Sequence, residues 1–269
     1  MDRITILGIP IDNVTEDEAV ERIAGFLAAG GAHQVVTTNP EFVMEGRRNP
    51  TFHAVLQQAD LSVPDGFGLI LASRWLGMPL RGRATGVALS HRIAELAAQR
   101  GYRLFLLGAA PGVAEEAAAV WQAMYPGLQI AGCFAGSPHA RYEPFLRQVV
   151  RAARPDVLLV AYGHPAQDLW IARNQPFIQV PLAMGVGGVF DYVTGRVPFA
   201  PAWLRRLGLE WLYRLVHQPR RWRRILVAVP WFSLVVFLDS LRNLGRDGGR
   251  GSGRRASRKD AKAQRFEQD

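Results

Sequence analysis

Cysteine is almost missing from this chain: Cys133 is the single one in 269 residues. One thiol excludes an intrachain disulfide and any zinc site built on thiolates. The six histidines include no HxxxH or HExxH spacing, so no imidazole zinc site is expected either. No Walker A sequence occurs, and the first apolar stretch, ITILGIPIDN, lacks the glycine fingerprint of dinucleotide enzymes. There is no DxD pair to hold a divalent cation against a nucleotide diphosphate. The opening MDRITILGIPID has neither a basic start nor a long apolar segment, and no signal peptide is expected. The apolar run at 225–238, ILVAVPWFSLVVFL, has 14 residues without a charge and is interrupted by Pro230. A spanning helix needs roughly 20 apolar residues. The run therefore reads as an interfacial or re-entrant helix, with arginines and tryptophans at headgroup level.

Acidic residues thin out toward the end. From Arg196 onward there are 17 Lys+Arg against 6 Asp+Glu, a net of +11, whereas residues 1–195 hold 15 against 17. The formal charge of +9 is thus a property of the last quarter, which points to an anionic partner, either nucleic acid or a membrane surface. Apolar residues are plentiful. They make up 49% of the chain, with 13 Phe and 7 Trp, enough for a substantial core.

Ile4–Ile11 reads as a first strand, and Thr15-Glu16-Asp17-Glu18 as a capping box that opens a helix to about Ala29. A strand at Gln34–Thr38 precedes Pro40, which suits the first position of a helix. A short helix at Thr51–Gln58, a strand at Leu61–Val63, a helix at Gly66–Gly77, a basic loop RGRATG (81–86) and a helix at Val87–Arg100 follow. Strands at Tyr102–Gly108, Leu128–Gly136, Asp156–Gly163 and Pro181–Val189 then alternate with helices at Pro111–Met124, Tyr142–Ala153 and Pro165–Asn174. The strands are continuous apolar runs, as when helices cover both faces of a sheet. The expected fold is α/β: a Rossmann-like, largely parallel sheet flanked by helices over residues 1–195. Residues 196–244 read as a helical, basic and apolar appendage that associates with membrane, with a helix over Trp203–Val216, and residues 245–269 as a disordered basic tail.

In parallel sheets ligands bind at the C-terminal strand ends, and the candidate residues fall there. Asp65, in LSVPDGFG (61–68), stands where strand gives way to helix. Its simpler role is to cap the helix that follows, which favours the ionised form. The alternative is a general base in a cleft. Thr37 and Asn39 end the second strand and either bind a sugar or phosphate or merely close the strand and cap the next helix. Arg81 and Arg83 lie in a glycine-flanked loop, solvated or holding an anion. The turn Gly108–Gly112 offers backbone N–H groups to a phosphate, though weakly. Gln167, in GHPAQDLW (163–170), faces the same edge, and His164 beside it reads as structural. Gly187 and Gly188, in GVGGVFDY (185–192), allow either close backbone approach to a diphosphate or tight packing. Glu210 and Arg214 have the spacing of a helical surface pair. Arg220, Arg221, Arg223 and Arg224 suit lipid phosphates.

In order, TTNPEFV, ADLSVPDGFG, RGRATG, LFLLG, GHPAQDLW, GVGGVFDYVTG, APAWLRRLGLEWLYRL and PRRWRR resemble the bacterial WecG/TagA/CpsF glycosyltransferase family, from about Ile4 to Arg224. The resemblance implies an inverting enzyme that works without a bound metal or other cofactor. Such an enzyme moves an N-acetylhexosamine-type sugar, N-acetylmannosamine or its uronic acid, from a UDP donor to a polyprenyl-diphosphate-linked sugar in cell-surface polysaccharide synthesis. It implies that Asp65 is the general base, that Thr37, Asn39, Arg83 and Gln167 contact donor or acceptor, and that Arg214, Arg221 and Arg224 meet the diphosphate. Its partners are then the two sugar substrates and an anionic membrane surface, not nucleic acid, at the cytoplasmic face of the inner membrane. The number of subunits is left open, homo-oligomers included. The chain departs from the family pattern at GHPAQD, where G-x-P-K-Q-E is usual, and at Phe199-Ala-Pro201, where R-A-P is usual. A Rossmann-type enzyme of another class and a basic membrane- or nucleic-acid-binding protein are the competing readings.

Overall fold

A computed structural model describes residues 2–201, 203–204, 207, 209–217, 222 and 227–241. The first expected strand, Ile4–Ile11, is a hairpin instead. β1 (Arg3–Ile6) and β2 (Ile9–Asp12) pair antiparallel about a two-residue turn in which Leu7 (φ 51°) and Gly8 (φ 85°) both have positive φ. This is the backbone of a tight hairpin turn. A leucine is uncommon at such a position, so the run looks continuous in sequence.

α1 (Glu16–Ala29) opens with the expected capping box, Thr15 and Glu18 exchanging side-chain and backbone bonds. β3 (His33–Thr38) leads into α2 (Pro40–Gly46), capped by Asn39 with Pro40 in the first turn. α3 (Pro50–Gln58), β4 (Leu61–Pro64), α4 (Phe67–Trp75) and α5 (Gly86–Arg100) follow. Next come β5 (Arg103–Gly108), α6 (Val113–Met124), β6 (Gln129–Phe134) and α7 (Glu143–Ala153). β7 (Val157–Ala161), α8 (Ala166–Ile178), β8 (Leu182–Gly185) and α9 (Val189–Val193) complete the series. The last expected strand, Pro181–Val189, stops four residues early because Val186–Gly188 turns into α9.

β3 to β8 form one six-stranded parallel sheet in the order β4-β3-β8-β7-β5-β6. Side chains alternate across it, as the strand period requires. Leu104 and Leu106 of β5 join a cluster with Ile23, Leu89 and Trp121, whereas Phe105 and Leu107 join one with Leu146 and Trp170. A third cluster unites the hairpin with α2, α3 and α4 and takes in Phe232 and Val236, both almost wholly buried. The C-terminal segment therefore shares a core with the α/β unit.

The helix expected over Trp203–Val216 is interrupted. Residues 203 and 204 are helical, the chain turns at Leu207, and α10 (Glu210–His217) starts anew. Val227–Trp231 forms one wide helical turn containing Pro230, and 232–241 is α-helical. No helix among the described residues is long and apolar enough to cross a membrane.

Asp12 fastens the hairpin to the edge strand of the sheet. Its Oδ2 accepts the Ser62 N–H at 2.7 Å, and Arg3 donates to its two oxygens at 3.1 and 3.0 Å. Arg22 approaches it to 3.6 Å. The N–H of an edge strand is otherwise open to another chain. Asp12→Ala strands that buried N–H and leaves Arg3 and Arg22 without the carboxylate. It should lower unfolding free energy by about 3 kcal/mol, read from the midpoint of urea unfolding.

Candidate active site

Parallel strands all end at one edge of the sheet. Four neighbours, β4-β3-β8-β7, end at Pro64, Thr38, Gly185 and Ala161. At a strand spacing of about 4.8 Å these ends cover about 14 Å. The residues singled out from the sequence sit just beyond them.

Asp65 follows β4 and does not cap the helix after it. The N-cap of α4 is Gly66, at φ 111°, and no side chain bonds there. Asp65 instead reaches α5: its Oδ2 accepts the Gly86 N–H at 3.0 Å. The backbone explains why. Asp65 N–H donates to Thr38 O at 2.7 Å, and Ala84 N–H donates to Pro64 O at 2.9 Å. The 81–85 loop therefore runs beside the end of β4 and brings the start of α5 to the carboxylate. A Cβ on Gly86 would lie 3.7 Å from both Asp65 Oδ2 and Thr37 Oγ1, so these groups converge on one point. The helix so met, α5, is 15 residues long and directs its N-terminal end at the carboxylate. Asp65 remains partly exposed, and Thr37 is nearly buried.

Asn39 Oδ1 accepts Phe42 N–H as the cap of α2, which uses its oxygen. Its amide N–H groups make no hydrogen bond among the described residues and remain available to a ligand. The two loop arginines divide. Arg81 is engaged by Glu18, and Arg83 enters no ion pair among the described residues and is half-buried beside the Asp65 loop.

Gln167 is buried at 2% exposure, and its Oε1 accepts Gly187 N–H at 2.8 Å. Its carbonyl end thus braces the Gly187 loop. A Cβ on Gly185 would fall 2.5 Å from Gln167 Nε2 and 2.6 Å from Asp168 Oδ1, so only glycine lets α8 lie this close to β8. Gly187 sits at φ 58°, and Gly188 precedes α9. The structure thus makes two groups along the edge: Thr37, Asn39, Asp65 and Arg83 around β3 and β4, and Gln167, Gly187 and Gly188 around β7 and β8. His164 stacks on Phe42 at 4.4 Å, the structural role expected for it. Arg214 lies on α10; Arg221 and Arg224 lie outside the described residues.

The family model for the glycosyl transferases of the WecG/TagA/CpsF type matches residues 4–246. The chain belongs to this family. It is 37% identical over 202 residues to an N-acetylglucosaminyldiphosphoundecaprenol N-acetyl-β-D-mannosaminyltransferase of Bacillus spizizenii, covering 75% of this chain and 77% of the relative. An identically named transferase of Bacillus subtilis is 31% identical over 76% of this chain and 79% of its own length. Another, from Staphylococcus aureus, is 32% identical over 86% of this chain and 90% of its own length.

Two features of this WecG/TagA/CpsF glycosyltransferase escaped the sequence. One is the Gly86 N–H that holds Asp65; the only sequence signal is the helix-capping Thr85 before it, 20 residues from the carboxylate. The other is Asp168, which is fully buried and whose carboxyl oxygens find no hydrogen-bond partner among the described residues. Burial raises its pKa to about 7, and the nearby Gln167 amide offsets little of that without forming a well-aligned bond. The folded state therefore favours the neutral acid. Stability at this group is highest in acid, falls as pH climbs above the ordinary carboxylate range, and levels off beyond about 7. Asp168→Asn cannot ionise and should flatten that decline. Urea unfolding at about pH 5 and about pH 8.5 reads the difference, with the wild type losing more stability between the two.

Proposed function

We propose that this chain transfers an N-acetylhexosamine-type sugar, N-acetylmannosamine or its uronic acid, from a UDP donor to a polyprenyl-diphosphate-linked N-acetylglucosamine. The transfer inverts the anomeric centre and uses no metal. The curated relatives, named as N-acetylglucosaminyldiphosphoundecaprenol N-acetyl-β-D-mannosaminyltransferases, support the sugar and the acceptor. The observation that carries the chemistry is the Asp65 carboxylate beside Thr37, held by the N-terminus of α5.

Asp65 takes the proton of the acceptor hydroxyl while that oxygen forms a bond to the anomeric carbon. The bond from that carbon to the donor diphosphate breaks on the opposite face, and its electron pair leaves with UDP. Negative charge grows on the departing diphosphate, so donors must already be aimed there. Arg83 is the cation of this edge without an ion pair among the described residues. The N-termini of α4, α6 and α8 have no side-chain cap, whereas those of α1, α2, α3 and α5 do. α7 and α9 lack a side-chain cap as well, so the helices after β4 to β8 all bring unbonded backbone N–H groups toward the edge where a diphosphate would lie. Arg214, Arg221 and Arg224 are assigned to the acceptor diphosphate, and Thr37, Asn39, Gly187 and Gly188 to positioning the sugars.

The enzyme works as a peripheral protein on the cytoplasmic face of the membrane that carries its acceptor. The helix at 232–241 supports this: Phe232 and Val236 enter the core, while Leu234, Phe237, Leu238 and Leu241 form a second apolar stripe in solvent. A helix apolar on both faces belongs to a buried or membrane setting. Trp75 on α4 packs against Phe237 and, with Leu71, extends the exposed patch.

Asp65→Asn retains an oxygen for the Gly86 N–H, so thermal stability and UDP binding should persist while turnover falls on the order of a hundredfold or more. Turnover within a few-fold of wild type would remove Asp65 as the base. Adding EDTA to the assay should leave the rate unchanged; strong inhibition would restore a metal to the mechanism.

A further inference from the structure

Beside the exposed apolar stripe lies a groove of about 370 Å³ between the end of α2 and the helix at 232–241. Trp231, Val235 and Leu238 line its apolar side, and Arg47 and Arg48 its other side. The three apolar residues recur at helical spacing and so form one continuous wall. Both arginines are exposed, and neither enters an ion pair among the described residues. Asp239, the carboxylate on the lining, is already engaged. Arg47 and Arg48 follow the last residue of α2, seven residues beyond the Asn39 cap, so the groove lies at the far end of that helix from the sugar site.

We propose that this groove binds one anionic glycerophospholipid of the bilayer, with its phosphate on Arg47 and Arg48 and its first methylenes along Trp231, Val235 and Leu238. The inference rests on the membrane reading above and names a lipid site within it. Two pieces of chemistry meet in the groove: a pair of guanidinium groups able to hold phosphate oxygens in a fork, and an apolar wall continuous with the stripe that faces the hydrocarbon. Charge outside the described helix agrees. RRWRR (220–224) precedes it, and residues 242–269 carry nine Lys+Arg against four Asp+Glu. The apolar helix is thus bracketed in sequence by cations that favour an anionic leaflet. An isoprenoid tail alone would leave the two arginines without a counter-charge, and a free anion would leave the apolar wall unused.

The test uses the full chain with dihexanoyl phosphatidylglycerol below its micelle concentration, followed by calorimetry. Parallel titrations use glycerol phosphate, inorganic phosphate and dihexanoyl phosphatidylcholine. Saturable binding of the phosphatidylglycerol, weakened about tenfold or more by Arg47→Ala with Arg48→Ala, is the expected result. Glycerol phosphate and inorganic phosphate should bind far more weakly. Wild-type affinity in the double variant overturns the site, and equal binding of inorganic phosphate makes it an anion site rather than a lipid site. Turnover with a short-chain soluble acceptor should be unchanged in the double variant; a parallel loss would move these arginines into the sugar site and overturn the proposal. The membrane reading is tested separately by flotation of a Leu234→Ser, Phe237→Ser, Leu241→Ser variant with phosphatidylcholine–phosphatidylglycerol vesicles. Flotation equal to wild type would sink that reading whatever the calorimetry shows.

Discussion

A parallel strand cannot return directly; each must hand the chain to a helix that carries it back to the starting edge. In this protein that constraint gathers the C-terminal ends of six strands along one line and the N-termini of the helices after them on the same line. Polar residues at those junctions are brought together although they lie as far apart in sequence as Thr37 and Gly188. The sheet interior is apolar on both faces, with Leu106 on one and Leu107 on the other, so the ends are where polar groups can lie without a desolvation penalty.

At one of these junctions the chain sets a carboxylate against a helix that is not its neighbour in sequence. Asp65 belongs to the β4–α4 turn yet takes its hydrogen bond from α5. The bond fixes the carboxylate's direction, while α4 begins at a glycine and has no side-chain cap. The carboxylate thus meets the N-terminal end of one helix while the N-terminal end of another is left without a side-chain cap. Asp168 stands in contrast. It lies one residue beyond the brace Gln167 and is sealed from water, and that burial pushes its pKa up to about 7.

The C-terminal helix links the segments around Asn39 and Asp65 to the outer surface. The Cβ that Gly68 lacks would lie 3.8 Å from Ala228 O, 3.9 Å from the Phe232 ring and 2.8 Å from Pro40. The residues flanking Asp65 and Asn39 therefore rest on the same segment that exposes Leu234, Phe237 and Leu241. Removal of the segment would take Phe232 and Val236 out of the core cluster they share with Leu69 and Ala72.

The sequence by itself determined the elements. Continuous apolar runs marked the six parallel strands, the capping box at Thr15–Glu18 and Pro40 marked helix starts, and the ordered motifs marked the family. These signals are local, because strand burial and helix capping are settled within a few residues. Only the tertiary structure decided which strands lie side by side, that Leu7 and Gly8 fold the first run back on itself, and that Asp65 pairs with Gly86 rather than capping α4. It also decided that Gln167 faces inward to Gly187 and that Arg47 and Arg48 meet Trp231 across a groove. Each of these depends on contacts between distant segments, which the periodicity of a single segment does not encode.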